Sequence, residues 1–408
     1  MNIIVIGGGA AGFFGAIRAA ECNPSARVLI LERGKDVLSK VRVSGGGRCN
    51  LTHACFIPKE LVTYYPRGGK ELLGPFHVFG CGDTVAWFEG RGVTTKTEDD
   101  GRMFPLSNKS QSVIDCLQVS ADTAGVQVLL HQRVDDLIPP DSPSGCWKVV
   151  CKEKTYEADN VLVAAGSSPA IWEILARLGL QIVDPVPSLF TFNIQDERIA
   201  ALPGISVPEA TALVEGTKWE ASGPLLITHW GLSGPAILKL SAWGARELHQ
   251  KGYRFTLKIN WIREKTETCK TDLEEQKQTA PRQLVAPQPL FGLPSRLWKS
   301  LLHAAGIGEE KRWADVNKKE LQQLAEQLTA CRFPVTGKST FKDEFVTAGG
   351  VDLKEINFKT FESKRLPGLF FAGEILNIDA ITGGFNFQAA WTGGWIAGEA
   401  MAQRLLST

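Results

Sequence analysis

Apolar positions along the chain fall into short runs separated by amphipathic stretches. The first run, Asn2-Ile3-Ile4-Val5-Ile6, is continuous and β-branched after its opening residue, which predicts a strand. An alanine-rich stretch to about Cys22 reads as a helix, and Arg27-Val28-Leu29-Ile30-Leu31 as a second strand. Helices are expected over 70–79 and 83–90. Another runs to about Ala124 behind Ser107-Asn108, whose side chains suit an N-cap. Residues 126–130 predict a strand, Val134 opens a short extended run, and 146–151 with 155–157 suggests a hairpin. Residues 161–166 read as a buried strand entering a glycine turn. Strand and helix thus alternate to about residue 188, the pattern of an open α/β sheet.

Pro185 and Pro187 mark a boundary. Short β-type runs at 189–194, 217–221, 225–228 and 253–259 predict a β-rich module holding one helix over 235–250. Residues 263–283 are dense in charge and 281–294 rich in proline, which reads as a surface linker. Helical patterns follow at 294–305 and 318–330. Residues 345–351 return to β character, 369–373 form a buried strand, and 389–405 close the chain as a small-residue helix. The expected organisation is a discontinuous domain of 1–188 with 345–408, a β-rich insert of 189–260 with 332–344, and a helical insert of 261–331.

Composition narrows the class. A 408-residue chain that is 44% hydrophobic can bury sizeable cores, and a net charge of +1 predicts no general attraction to nucleic acid. No apolar stretch reaches the ~18 residues of a membrane span, and the first run is too short for a secretion leader. Nine cysteines without a C-x-x-C pair read as reduced thiols, so a soluble, cytoplasmic protein is expected.

The first strand runs into Gly7-Gly8-Gly9-Ala10-Ala11-Gly12, and the second ends at Glu32. Strand, G-x-G-x-x-G, helix, strand and acid make up the dinucleotide-binding unit. Gly7 allows the tight turn, Gly9 the approach of a pyrophosphate, and Gly12 close packing of helix on strand. The helix start then offers free N–H groups and the positive end of its dipole to the phosphates. Glu32 is placed to accept hydrogen bonds from ribose hydroxyls. An ordinary βα turn with a solvated Glu32 is the plainer alternative.

A second glycine-containing junction closes the chain: Leu369-Phe370-Phe371-Ala372-Gly373-Glu374, then Thr382-Gly383-Gly384-Phe385-Asn386-Phe387-Gln388. It resembles the flavoprotein pattern in which the acid binds a ribityl hydroxyl and the next helix start faces the flavin pyrimidine. Helix N–H groups aimed there would stabilise the reduced anion. The middle strand ending Ala164-Ala165-Gly166 resembles the mid-chain strand of two-dinucleotide-type flavoproteins. In that likeness Val134 is the residue whose main chain meets adenine.

Together with Ser44-Gly45-Gly46-Gly47-Arg48-Cys49-Asn50-Leu51-Thr52, Gly101-Arg102-Met103-Phe104-Pro105 and Thr228-His229-Trp230-Gly231-Leu232-Ser233-Gly234-Pro235, these motifs resemble one family. It is the aminoacetone oxidase and 3-dehydro-bile-acid reductase (BaiN-like) group of FAD flavoproteins. The resemblance implies an α/β fold, a Rossmann-like FAD-binding domain built from both chain ends, with a β-barrel-like insert and a helical insert. It places at the cofactor Gly7, Gly9, Ala10, Ala11, Gly12, Glu32 and Arg33 from the first unit. From the next stretch it adds Lys40, Ser44, Gly45, Gly46, Gly47, Arg48, Cys49 and Asn50. Val134, Ala165, Gly166, Gly373, Glu374, Gly383, Gly384, Asn386 and Phe387 complete the set. One departure stands out, since Asn377 occupies a position where the group usually has an acid.

No catalytic residue is identified; Arg48 and His229 are weak candidates. Arg48 could counter the charge of reduced flavin, or form a structural ion pair. Cys49 has no partner thiol nearby and reads as packing. Gly101 to Pro105 reads as a turn. The histidines show no metal-ligand spacing, so no metal is expected. With no second G-x-G-x-x-G there is no dedicated nicotinamide domain, and NAD(P)H is at most a transient donor at the substrate cleft between the FAD domain and the β-rich insert. The leading expectation is hydride transfer between flavin N5 and a small-molecule substrate, as NAD(P)H-fed reduction of a conjugated C=C. Alternatives are oxygen-dependent oxidation of a small amine, a flavin-dependent RNA-modifying enzyme, and a non-catalytic FAD-binding protein. No membrane partner is expected, the charge speaks against nucleic acid, and oligomeric state is unassigned.

Overall fold

The computed structural model describes residues 1–142, 145–339 and 346–404. Met1–Val186 with Lys342–Thr408 forms one compact unit, and Pro187–Phe341 the other.

The first unit is built on a seven-stranded sheet. Its strands lie in the order Ile356–Asn357, Glu362–Ser363, Leu369–Phe371, Asn160–Val163, Asn2–Ile6, Arg27–Leu31, Gln127–Leu129. The last five are mutually parallel, with Val5 between Leu162 and Ile30. Ile3 to Ile6 and Val161 to Val163 are at most 4% exposed, which is why they read as unbroken apolar runs: both faces of a parallel sheet are covered.

Two helices pack together beside this sheet, Ala10–Cys22 near the start of the chain and Phe385–Gln403 at its end. Glycines make the close approach possible. A Cβ on Gly394 would stand 2.6 Å from the Ala11 carbonyl oxygen, and one on Gly398 2.4 Å from that of Gly15. The C-terminal helix starts at Phe385, four residues earlier than expected, because the turn is completed by Gly383 and Gly384, both at positive φ. The expected end of this helix at 405, the start of the β stretch expected over 345–351 and the boundary between 344 and 345 lie outside the described residues.

A small sheet of Thr52–His53, Arg102–Pro105 and Thr95–Thr97 flanks this helix pair. The segment from Arg102 is therefore its central strand and not a turn, with Met103 opposite Thr52 and Phe104 opposite Lys96. The helix Ser110–Thr123 follows without a side-chain cap. Asn108 instead takes a left-handed turn (φ 54°), its N–H bonded to the Pro105 carbonyl, and Ser107 bonds to Ser112. A second three-stranded sheet joins Val134–Ile138, Trp147–Cys151 and Thr155–Ala158.

The second unit carries a seven-stranded antiparallel sheet and helices around one apolar core. Its strand Ser206–Val214 is not evident in the sequence, because a register shift between Val207 and Ala210, at Pro208, breaks the alternation. The helix expected over 235–250 is two, Pro235–Trp243 and Ala245–Gln250, meeting at Gly244. The charged stretch 263–283 is not a linker. It forms the helix Thr266–Thr279, in which the helix formers Glu, Lys and Gln outweigh four threonines and which buries only Cys269 and Leu273, one turn apart.

Candidate functional site

The glycines of the first turn divide their work. Gly7 has φ +109°, and a Cβ there would lie 2.5 Å from the Ala164 carbonyl oxygen; at Gly12 one would lie 2.0 Å from that of Gly7. Both are demanded by packing. A Cβ on Gly9 would meet no described atom within 4 Å apart from its chain neighbours, and this residue opens the first helix without a side-chain cap. The first-turn N–H groups are thus left without a capping side chain, next to open space over Gly9 and half-buried Ala10. Glu32 follows the strand Arg27–Leu31, its carboxylate accepting from Gly8 N–H at 2.9 Å and Gly34 N–H at 2.7 Å. Each oxygen keeps acceptor capacity beyond these bonds. Arg33 beside it is exposed.

Residues 38–53 form a loop against both chain ends. A helical turn from Ser39 stops at Ser44, and Gly45, Gly46 and Gly47 take φ of 58°, 68° and 83°. Gly46 and Gly47 have nothing within 4 Å of a would-be Cβ. Lys40 forms an ion pair with Glu374. Arg48 donates to Glu98 at 2.6 Å and stacks over Phe104 at 4.0 Å, so its charge is compensated by a carboxylate. Arg102 joins the same carboxylate at 3.1 Å. Cys49 is fully buried, which pushes its thiol up to about 12.

The C-terminal junction meets the first one directly. Gly373, at φ +77°, faces Ala11, whose methyl would lie 3.1 Å from an added Cβ. The segment from Glu374 to Gly384 is pinned at several points. Asp379, fully buried, forms an ion pair with Arg67; Asn386 bonds both the N–H and the carbonyl of Ala380; and Ile381 N–H reaches Tyr64. Gln388, also fully buried, accepts from Thr52 at 2.6 Å and Thr84 at 2.9 Å and donates to Thr392 at 3.1 Å. No side chain caps the helix that begins at Phe385.

The two uncapped helix starts point the same way. Gly394 abuts Ala11 and Gly15, and Gly398 abuts Arg18 and Ala19, so residue numbers rise together and the helices run parallel. Gly394 is the tenth residue of its helix and sits between Ala11 and Gly15, the second and sixth of the other. The C-terminal helix thus begins between one and two turns, or ~9 Å, beyond the first. Ala165 and Gly166 lie half-buried just past the strand Asn160–Val163 that neighbours the first strand. Val134 is buried at the start of its strand.

His229 belongs to the second unit, exposed in the turn between Glu220–Thr228 and Gly231–Ser233. Among the described residues, the buried side-chain oxygen of Asn377 finds no hydrogen-bond partner. Sequence reasoning overlooked His53, Tyr64, Arg67 and Asp379, which hold the C-terminal junction. Gln388 lies inside the C-terminal glycine motif, but nothing local marks its partners.

The family model described as HI0933-like protein Rossmann domain matches residues 1–400. The ribosomal RNA dihydrouridine synthase of Escherichia coli (strain K12) is 29% identical over 419 residues, covering 100% of this chain and 98% of its own. The 3-dehydro-bile acid delta(4,6)-reductase of Clostridium scindens is 26% identical, covering 99% and 100%. Among solved structures, the 3-ketosteroid-delta4-(5alpha)-dehydrogenase from Rhodococcus jostii RHA1 superposes with a TM-score of 0.54 at 15% identity, covering 98% of this chain and 96% of that one. At such identity the likeness is one of fold.

Proposed function

The chain belongs to the HI0933-like Rossmann-domain family, and from that premise we propose that it is an FAD-dependent oxidoreductase that reduces a C=C bond conjugated to a carbonyl. The carrying observation is the pair of parallel, uncapped helix starts, contributed by opposite chain ends and offset by ~9 Å along their axes. Two separated sets of free N–H groups suit a long ligand with a diphosphate at one place and an electron-rich ring edge at the other.

The residues present fit FAD in that orientation. The open space at Gly9 and the N–H groups behind it would hold the diphosphate, and Glu32 would accept from the adenosine ribose with its remaining lone pairs. Val134, Ala165 and Gly166 would supply backbone for the adenosine half. Lys40, the glycines at 45–47 and Glu374 would border the ribityl half. The helix start at Phe385, Asn386 and Phe387 would meet the pyrimidine edge, where its dipole favours negative charge. Bound FAD supplies the two-electron, hydride-transferring chemistry. The chain's task is to orient the substrate and keep the reduced ring's charge stabilised.

The relatives' names support the choice of bond. A 3-dehydro-bile acid with Δ4,6 unsaturation and a uracil base each present a C=C conjugated to a carbonyl. Reduction of either takes a hydride at one carbon and a proton at the other. NAD(P)H is the proposed source of the hydride, leaving as NAD(P)⁺. Anaerobic titration of yellow, purified protein with NADH, NADPH and a panel of amines tests this. Bleaching by a nicotinamide is expected; bleaching by amines alone would replace the reductase with an amine oxidase.

A second reading, reduction of a uridine in ribosomal RNA, is favoured by the name of the Escherichia coli relative, which spans the whole chain. Mass spectrometry of ribosomal RNA from cells lacking this protein would show the loss of a dihydrouridine on that reading, and an unchanged nucleoside profile on the small-molecule one.

A further inference from the structure

We propose that His53 is a positioning residue for the flavin: with Asn50 it grips one peptide unit, Gly383–Gly384, and so sets the direction of the helix start that meets the cofactor. This rests on the FAD reading above. The grip has two ends. His53 Nδ1 lies 3.0 Å from the Gly383 carbonyl oxygen. A carbonyl only accepts, so Nδ1 carries the proton and donates. At the other end, the Asn50 amide satisfies both its groups when its oxygen is assigned to the side of Gly384, where it accepts from Gly384 N–H at 3.0 Å while the amide nitrogen donates to the Thr52 carbonyl at 3.2 Å. Carbonyl and N–H of the same peptide are therefore both held by side chains from one short segment.

That peptide needs holding. Gly383 has φ +137° and Gly384 +91°, conformations in which glycine has wide freedom and a peptide can rotate at low cost. The next residue, Phe385, opens the helix. The His53 ring is itself immobilised. It lies over Phe385 at 4.5 Å between centroids, and Phe385 stacks on Tyr64 at 4.4 Å. Gly101 closes the other side, where a Cβ would lie 2.6 Å from His53 Nε2. The strand Thr52–His53 is paired to Arg102–Pro105, so the backbone carrying the ring is fixed too. Asn50 thus binds the protein's own turn with its side chain.

The consequence is differential. A loosened peptide lets the N–H groups after it swing, and those groups stabilise reduced, anionic flavin more than oxidised flavin. His53→Leu should weaken FAD binding by about three- to tenfold, with a shift of the flavin midpoint potential to more negative values. His53→Asn places an amide N–H where Nδ1 stood and should restore both. FAD affinity is read by fluorescence titration of the apoprotein, and the potential by dye equilibration of the loaded protein. A wild-type affinity and potential in His53→Leu would overturn the inference. So would His53→Asn being as impaired as His53→Leu, since ring packing alone would then explain the loss. A wild-type protein that takes up no FAD would overturn the cofactor reading itself, a result told apart by needing no variant.

Discussion

Gly394 touches the backbone of Ala11, a residue 383 positions away, closely enough that a Cβ would stand 2.6 Å from the Ala11 carbonyl oxygen. Gly→Ala inside a helix ordinarily stabilises by about 0.5–1 kcal/mol. Here the sign reverses, because the neighbour is main chain and cannot rotate away. Gly394→Ala is expected to cost about 1–3 kcal/mol in urea unfolding, and to weaken FAD binding by separating the two helix starts. A neutral or stabilising alanine would show that the helices have room to spare.

Glu32 accepts two backbone N–H groups, from Gly8 at 2.9 Å and Gly34 at 2.7 Å, on a half-buried carboxylate. Glu32→Ala leaves those donors to water, a loss of about 1.5 kcal/mol each, since both bonds are charge-assisted but half-exposed. The ribose contacts would go as well. FAD affinity should fall about 10- to 100-fold while the melting temperature of the apoprotein drops by only a few degrees. Protein purifying fully loaded with flavin would put the ribose elsewhere.

Asp379 is fully buried against the Arg67 guanidinium, inside the segment that leads to the Gly383–Gly384 turn. Removing one partner of such a pair strands the other's charge, which costs about 3–5 kcal/mol. Asp379→Ala should therefore unfold at markedly lower urea and lose flavin early in the transition. Replacing both partners by apolar residues of similar volume should recover part of the stability. A single substitution within about 1 kcal/mol of wild type would mean that water reaches the guanidinium.

What the sequence disclosed and what it hid differ by range. The parallel strands were legible because Ile3 to Ile6 and Val161 to Val163 announce two-sided burial in consecutive residues. Nothing local marks Gly394 as a partner of Ala11, Asp379 of Arg67, or Gln388 of Thr52 and Thr84. These pairs are made by chain closure, and each residue alone is compatible with many environments. The helix Thr266–Thr279 was hidden for another reason: two buried side chains leave almost no periodicity. His53 lacked a signal because its value lies in one nitrogen facing one carbonyl. The turn read from Gly101 to Pro105 proved a strand because the pairing of Met103 with Thr52 is a long-range register.

The buried thiols give the protein an alkaline limit. Burial pushes Cys49 and Cys269 up to about 12 and Cys81 and Cys331 up to about 11. In the unfolded chain a thiol titrates near 8.5. These four are therefore protonated in both states below about pH 8, where they add no pH dependence to stability. As pH rises past 8.5 the unfolded chain releases protons that the folded one keeps, so unfolding gains free energy. Stability should then decline from about pH 9 upward and level off only near the folded values. The same burial governs reactivity. At pH 8 a thiol titrating near 12 is about one part in 10⁴ thiolate. Iodoacetamide followed by peptide mass spectrometry should label half-buried Cys22 and Cys146 first and spare Cys49 until the protein unfolds. Rapid native labelling of Cys49 would show that the loop from Gly45 to Asn50 opens to solvent, and would reopen the case for a reactive thiol beside the flavin.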